Sequence, residues 1–286
     1  IDDALVEEVT ALVEWPVGIA GRFDERFLVL PREVLISTLQ EHQRYFPIEN
    51  DAHELLAGFI TVANIESRDV AQVIAGNERV VRPRLSDALF FWDQDRGQGL
   101  AHHIDGLARV TFQQSLGSLA DKSARIAALG KRLVEPTGAK SEIVERAAVL
   151  AKTDLLTEMV GEFPDLQGLM GYYYAREDGE PAAVADAIAE QYAPARAGAD
   201  IAATPAGRAL ALADRLDTLS GIFAIGRRPS GDKDPFGLRR AALGVLRTVI
   251  EAGLVLDLHA ELGAALANQP VDAEPDTLDA LWMFHM

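Results

Sequence analysis

Two stretches of this 286-residue chain set cations in patterns that suit the binding of anions. Between Ile222 and Val249 stand Arg227, Arg228, Lys233, Arg239, Arg240 and Arg247, against only two acids, Asp232 and Asp234. The whole chain has a formal net charge of -17. Its far field repels phosphate, so any contact with a polyanion has to be local, and this segment inverts the sign locally. Gly226 and Gly231 allow backbone shapes that other residues resist, and the amides of such a loop can approach a phosphate. Arg239 and Arg240 fall in the first turns of an expected helix over Pro235–Ala252 with Asp234 as its cap. A positive charge there opposes the helix dipole. Its small cost points to a partner, either an internal acid such as Asp217 or an external phosphate.

In the second stretch, Arg79, Arg82 and Arg84 alternate with Val80, Val81 and Leu85. Tyr45, Phe46, Phe90, Phe91 and Trp92 lie in nearby segments. Arginine beside exposed rings suits unpaired RNA, because bases stack on rings and guanidinium planes while phosphates take the charge. The other reading makes the Phe90–Trp92 run core and pairs the arginines with Glu78, Asp87, Asp93 and Asp95. The residues alone leave both open.

Other chemistries find little support. The chain has no cysteine, which excludes disulfides, thiolate zinc sites and cysteine nucleophiles and suits a cytosolic protein. His102 and His103 are adjacent and point apart. His42, in HQRYFP, has nothing at ligand or triad spacing and reads as a hydrogen-bonded histidine near a strand end. There is no nucleophile elbow, no G-x-x-x-x-G-K-[ST] loop and no G-x-G-x-x-G, so no ATP site is evident.

The elements that must position these residues divide near residue 100. Residues 1–100 read as mixed α/β. The expected elements are a strand at Phe27–Pro31, a helix over Glu33–Glu41 and a buried strand over Leu55–Asn64. A short helix over Val70–Ala75 should stop at Gly76-Asn77. Arg82-Pro83-Arg84 should be extended or turned, because the residue before proline avoids the helical region. Ser86 should cap a further helix through Ala88–Trp92. Residues 96–115 read as a connection weakened by Gly97, Gly99 and Gly106.

From Leu116 the pattern is almost wholly helical. The expected helices are Leu119–Leu133, Ser141–Met159, Pro181–Tyr192, Pro205–Ser220 capped by Thr204 and stopped by Gly221, Pro235–Ala252, and one near Leu254–Ala267. Tyr172-Tyr173-Tyr174 reads as helix packing with one exposed ring, and EFPDLQG before it as a kink. The tail from Glu251 has seven acids and no Lys or Arg and reads as a solvated helix pair. The fold class is thus α+β. Hydrophobic content of 49% supports a sizeable core. No apolar run approaches the roughly 20 residues that span a membrane, and the acidic Ile1-Asp2-Asp3 start does not resemble a signal peptide. The lack of an initiator Met and the WMFHM end lead us to expect an internal piece of a longer chain.

One further signal is a resemblance. HQRYFP at 42–47, GNERVVRPRLSDALFFWDQD at 76–95, LGSLADKSARI at 116–126, KTDLLTEMVGEFPDLQGLMGYYYA at 152–175 and LADRLDTLSGIFAIGRRPSGDKDPFGLRRAALGVLR at 212–247 occur in this order. Together they resemble the β subunit of the bacterial two-subunit glycyl-tRNA synthetase. The resemblance implies a B3/B4-like domain over 1–100, similar to that of phenylalanyl-tRNA synthetase, and a helical HD-like domain over 101–286. The HD metal positions would fall on Asp121, on Thr153-Asp154 and on Asp214. Both imidazoles are missing and Lys152 stands beside the pair, so this is a degenerate site and no metal is expected.

The implied function is binding and positioning of tRNA(Gly), for glycylation catalysed with the α subunit. No catalytic residue or cofactor is expected in this piece, ATP and Mg²⁺ being used by the whole enzyme through the α subunit. A cytoplasmic location is implied, with no membrane partner. Arg79, Arg82, Arg84, Arg227, Arg228, Lys233, Arg239 and Arg240 are the expected RNA or subunit contacts. The alternatives are an HD-type metal-dependent phosphohydrolase and a scaffold that only joins the α subunit to tRNA-binding parts elsewhere.

Overall fold

A computed structural model describes residues 2–230 and 233–285, apart from the side chain of His42. The expectations for His42 and Gly231 therefore lie outside the described residues. The chain divides into two compact units, one ending at Gly97 and the other starting at Gln98.

In the first unit the order is α1 (Asp3–Leu12), β1 (Val17–Arg22), α2 (Arg32–Gln43), β2 (Phe46–Glu49), β3 (Leu55–Ala63) and α3 (Val70–Gln98). The three strands form an antiparallel sheet in the order β1-β3-β2, with Ile60 of β3 opposite both Ala20 and Phe46. Phe27, Val34, Leu35, Leu39 and Phe59 are fully buried, and Tyr45 stacks on Phe59 at 4.7 Å.

Two expectations fail here. Phe27–Pro31 is no strand: Glu25–Val29 is a 3₁₀ turn, capped by Asp24 accepting from the Arg26 amide. Periodicity in so short an apolar run cannot tell the two apart. Val70–Gln98 is one helix and passes through Pro83. Proline removes one helical donor and crowds the preceding turn. The buried stripe Val81, Leu85, Ala88 and Trp92, at spacings of four, three and four, outweighs that cost. Ser86 donates its hydroxyl to the Arg82 carbonyl and Asn77 its side-chain amide to Val73, so neither ends the helix.

The second unit begins with 3₁₀ turns at Leu100–His103 and Asp105–Arg109 and a small ladder, β4 (Thr111–Gln113) with β5 (Gly117–Ser118). Then come α4 (Leu119–Thr137), α5 (Ser141–Leu150), α6 (Glu158–Glu162), α7 (Leu169–Glu177), α8 (Ala182–Glu190), α9 (Pro205–Ala224), α10 (Leu238–Glu251), α11 (Leu258–Ala267) and α12 (Thr277–His285). The fold class is mixed α and β, and mostly helical.

Helix α9 is the axis: α4, α5, α8, α10, α11 and α12 all pack on it. Its residues are apolar nearly all round, as a central helix requires. Thr204 caps it as expected, accepting from the Gly207 amide. Gly221 does not stop it. A Cβ at Gly221 would stand 2.9 Å from Leu116 and 2.8 Å from Gln269, so the glycine admits neighbours and the helix runs on to Ala224.

The single helix expected over Ser141–Met159 is broken. Thr153 turns its hydroxyl back to the Leu150 carbonyl, a 3₁₀ turn covers Thr153–Leu156, and Thr157 caps α6. The acidic tail is a helix pair, but not a solvated one, since Leu262, Ala265 and Leu281 are fully buried. Of the three tyrosines on α7, Tyr174 is buried and the other two are half-buried.

Phe27 anchors the core of the first unit from an irregular turn. Phe27→Ala should destabilise that unit by about 3–5 kcal/mol in urea denaturation. A loss below about 1 kcal/mol would place Phe27 outside the core.

Candidate functional site

The basic loop leaves α9 at Gly226, whose φ of +72° suits glycine, and the Arg227 amide returns to the Ile222 carbonyl. Ser230 and Lys233 exchange both backbone hydrogen bonds, at 3.2 and 3.0 Å. Asp234 closes the loop, its carboxylate accepting from the amides of Leu238 and Arg239 at 2.8 and 2.9 Å. Asp234 thus serves the first amides of α10 as expected, but not from the cap position, which is Gly237, and α10 starts at Leu238, three residues later than expected.

This turn gathers Arg227, Arg228, Ser230, Lys233 and Phe236 around a cavity of about 230 Å³. Arg227, Arg228 and Lys233 are exposed. Arg228 pairs with Asp276 at 3.2 Å, which orients it without burying it. Arg239 and Arg240 are exposed in the first turn of α10. Asp217, considered as their internal partner, is held by Lys122 and Arg125 instead. Arg240 lines a second, larger cleft.

Helix α3 separates the other three arginines. Arg79 and Arg82 share the exposed face with Ser86 and Phe90, at spacings of three, four and four. Phe90 is 62% exposed while Trp92 is buried, so each of the two readings of the aromatic run holds for part of it. Arg84 is exposed but falls off that stripe. Glu78 accepts from the Arg22 amide at 2.9 Å.

The expected degenerate metal positions come apart. Asp121 closes the capping box of α4 with Ser118, whose backbone and hydroxyl hydrogen bonds hold its carboxyl below the usual range. Asp154 is fully buried, and one oxygen accepts from the amides of Gly168 and Gly171 at 2.5 and 3.3 Å. Burial pushes it up to about 6 against those hydrogen bonds.

Asp214 is gripped on both oxygens, by the Lys122 ammonium at 2.9 Å and the Lys152 ammonium at 3.1 Å. Burial raises its pKa, but the two ammoniums outweigh burial and hold it well below the carboxylate range. Lys122 also reaches Asp217 at 2.9 Å and the Thr218 hydroxyl at 2.8 Å. Arg125 meets Asp217 at 2.6 Å, and Gln269 donates to the same carboxylate at 3.1 Å. Lys152 donates to the Tyr192 hydroxyl at 3.1 Å and lies over its ring at 4.3 Å.

This donor set does not fit a divalent metal. Ammonium groups already occupy the carboxylate that would coordinate it, and no group of three His, Asp or Glu side chains among the described residues could hold an ion. The sequence reading missed Lys122 and Arg125, and only the packing of α4 on α9 brings them to the aspartates. They stand at i, i+3 on α4, and Asp214 and Asp217 repeat that spacing on α9.

A family profile described as "Glycyl-tRNA synthetase beta subunit" matches residues 1–285. The chain is similar to a protein of Chromohalobacter salexigens named "Glycine--tRNA ligase beta subunit", with 58% identity over 94% of this chain and 39% of the relative. Proteins of the same name from Marinobacter nauticus and Ectopseudomonas mendocina are each 54% identical, over 97% and 98% of this chain and 40% and 41% of theirs. The chain thus spans about two fifths of the length of these relatives. No helix among the described residues is long and apolar enough to cross a membrane.

Two outcomes test the buried cluster. Lys122→Met leaves Asp214 and Asp217 short of a cation and should cost about 3–5 kcal/mol in denaturant unfolding. Asp154 acts oppositely to Asp214. Its folded pKa of about 6 exceeds the ordinary value of 3.8, so the folded state holds a proton that the unfolded state has lost. Its contribution to stability therefore falls as pH rises from about 4 to 6, by roughly 3 kcal/mol. Asp154→Asn should remove that fall, so the variant gains on the parent between pH 4 and 7. Parallel pH profiles would refute it.

Proposed function

The chain belongs to the family of glycyl-tRNA synthetase beta subunits, and on that ground we propose that these residues bind and position tRNA(Gly) for glycylation carried out with the α subunit. The observation that carries this reading is the Arg227–Lys233 turn. It holds three exposed cations around one small cavity in a chain of net charge -17. A loop of that kind binds a phosphate backbone locally and places the acceptor end, which turns a difficult encounter into a local one. Arg79 and Arg82, with exposed Phe90 beside them, form the second contact; stacking and charge there suit an unpaired segment. Arg84, Arg239 and Arg240 complete the set.

On this reading the first unit is B3/B4-like and the second is HD-like without its metal. ATP and Mg²⁺ serve the whole enzyme through the α subunit, in the cytoplasm. The lysines on Asp214 weigh against metal-dependent phosphohydrolysis. A purely scaffolding role leaves Arg227 and Lys233 without a purpose, Arg228 being paired with Asp276.

Binding of tRNA(Gly) and an unrelated tRNA across a salt series, with and without the α subunit, tests this directly. Alanine at Arg227, Arg228 or Lys233 should each lower affinity and reduce the salt slope by about one. Unchanged affinity and slope in all three, with the α subunit still bound, would reduce this piece to a scaffold.

A further inference from the structure

The sheet of the first unit has two edges, and they differ. On β2, Pro47 stands opposite Phe59, the register slips between Pro47 and Glu49, and the strand has only four residues. A proline, a bulge and a short run each close an edge to further strands. β1 has none of these. Its six residues, Val17–Arg22, pair with β3 in unbroken register.

The Phe23 amide bonds to the Ala57 carbonyl. By the alternation of an antiparallel ladder, Ile19 and Gly21 then bond to β3, while Gly18, Ala20 and Arg22 turn their amides and carbonyls outward. Glu78 of α3 takes the Arg22 amide at 2.9 Å. Gly18 and Ala20 have no such partner among the described residues. Two donors and two acceptors are therefore open in a row.

The face beside this edge is apolar. Gly18 and Ala20 are exposed on the same side of the sheet as Leu56, Ile60 and Val62 of β3. Leu56 is 45% exposed and Ile60 39%, and Arg22 carries the one charge on β1. The core lies on the other side, with Ile19 and Phe59. An antiparallel sheet with one face in water normally puts polar residues on that face, and this one does not.

We propose that a fourth strand pairs with β1, supplied by the part of the β-subunit polypeptide that lies beyond this chain. The chain is 39–41% of the length of its relatives, so such a subunit has ample sequence to supply one. The occupant is an extended segment, apolar on the side that faces Ala20 and Ile60. Gly18 and Ala20 are small enough for its side chains to reach across them to Ile60 and Val62. Four backbone hydrogen bonds and a few apolar contacts hold a separate chain weakly, whereas a tethered strand needs no bimolecular encounter. The same edge is tied to α3 through Glu78, next to Arg79, so a strand docked there steadies the base of the helix that carries Arg79, Arg82 and Phe90. The proposal does not depend on tRNA binding.

Amide hydrogen exchange over residues 17–22 tests it, read by mass spectrometry in the chain by itself and in the full-length subunit that contains it, both without the α subunit. The Gly18 and Ala20 amides should exchange at least about tenfold more slowly in the full-length subunit. Ile60→Ser, on the open face, should weaken that added protection and leave exchange in the chain by itself unchanged. Ala20→Pro, which an edge strand tolerates at an outward amide, should abolish the added protection at Gly18. Equal exchange in the two forms would overturn the proposal, as would added protection that both variants keep. Protection in a dimer of the chain by itself identifies a second copy as the occupant. Protection that appears only on adding the α subunit identifies that subunit. Either of these also overturns it.

Discussion

The second unit is organised around charge buried on α9. Asp214 and Asp217 sit in the middle of a largely buried helix, and unpaired carboxylates there would carry a desolvation penalty of several kcal/mol. Lys122 and Arg125 from α4 and Lys152 from the break after α5 meet them. Each pairing fixes a register: α4 can rotate or slide on α9 only by stranding a charge. Hydrophobic burial between these helices is strong but non-directional, so the ion cluster is the specific part of the packing.

Several irregularities follow from it. The helix after Ser141 breaks where Lys152 turns toward Asp214 and Asp154 turns toward the amides ahead of α7. Gly168, at a φ of +81°, and Gly171 bring those amides close; a Cβ on Gly171 would stand 2.6 Å from Ile188. Thr218 and Tyr192 serve the same ammoniums. Two turns past Asp217, α9 delivers the Arg227–Lys233 loop to the surface, with Asp234 tying it to α10. The exposed cations therefore stand between two helices, with Asp234 bonded to the first amides of α10.

Much of this was legible in residues. The Thr204 cap, the β3 run, α2, α4 and α8, and the basic loop with its Asp234 tie are local patterns, and local chemistry decides them. The failures share one cause. Phe27–Pro31, Pro83 and Gly221 each carry a local preference that packing overrode: a buried ring in a turn, a buried stripe through a proline, and a close helix neighbour over a glycine. Arg79 and Arg82 were expected in a broken segment. Only the continuity of α3 put them on one face with Phe90 and left Arg84 to the side.

By itself the sequence determined composition, family, helix caps and where positive charge is concentrated, since these depend on residues near one another in the chain. The tertiary structure alone decided what each charge meets. Lys122 and Asp214 are 92 positions apart, and no spacing rule reports such a pair. It also decided that the aspartates at the expected metal positions are a cap, a buried turn anchor and a lysine-bound carboxylate. The physical reason is that burial sets the cost of a charge, and burial is a property of the packed helices rather than of the residue.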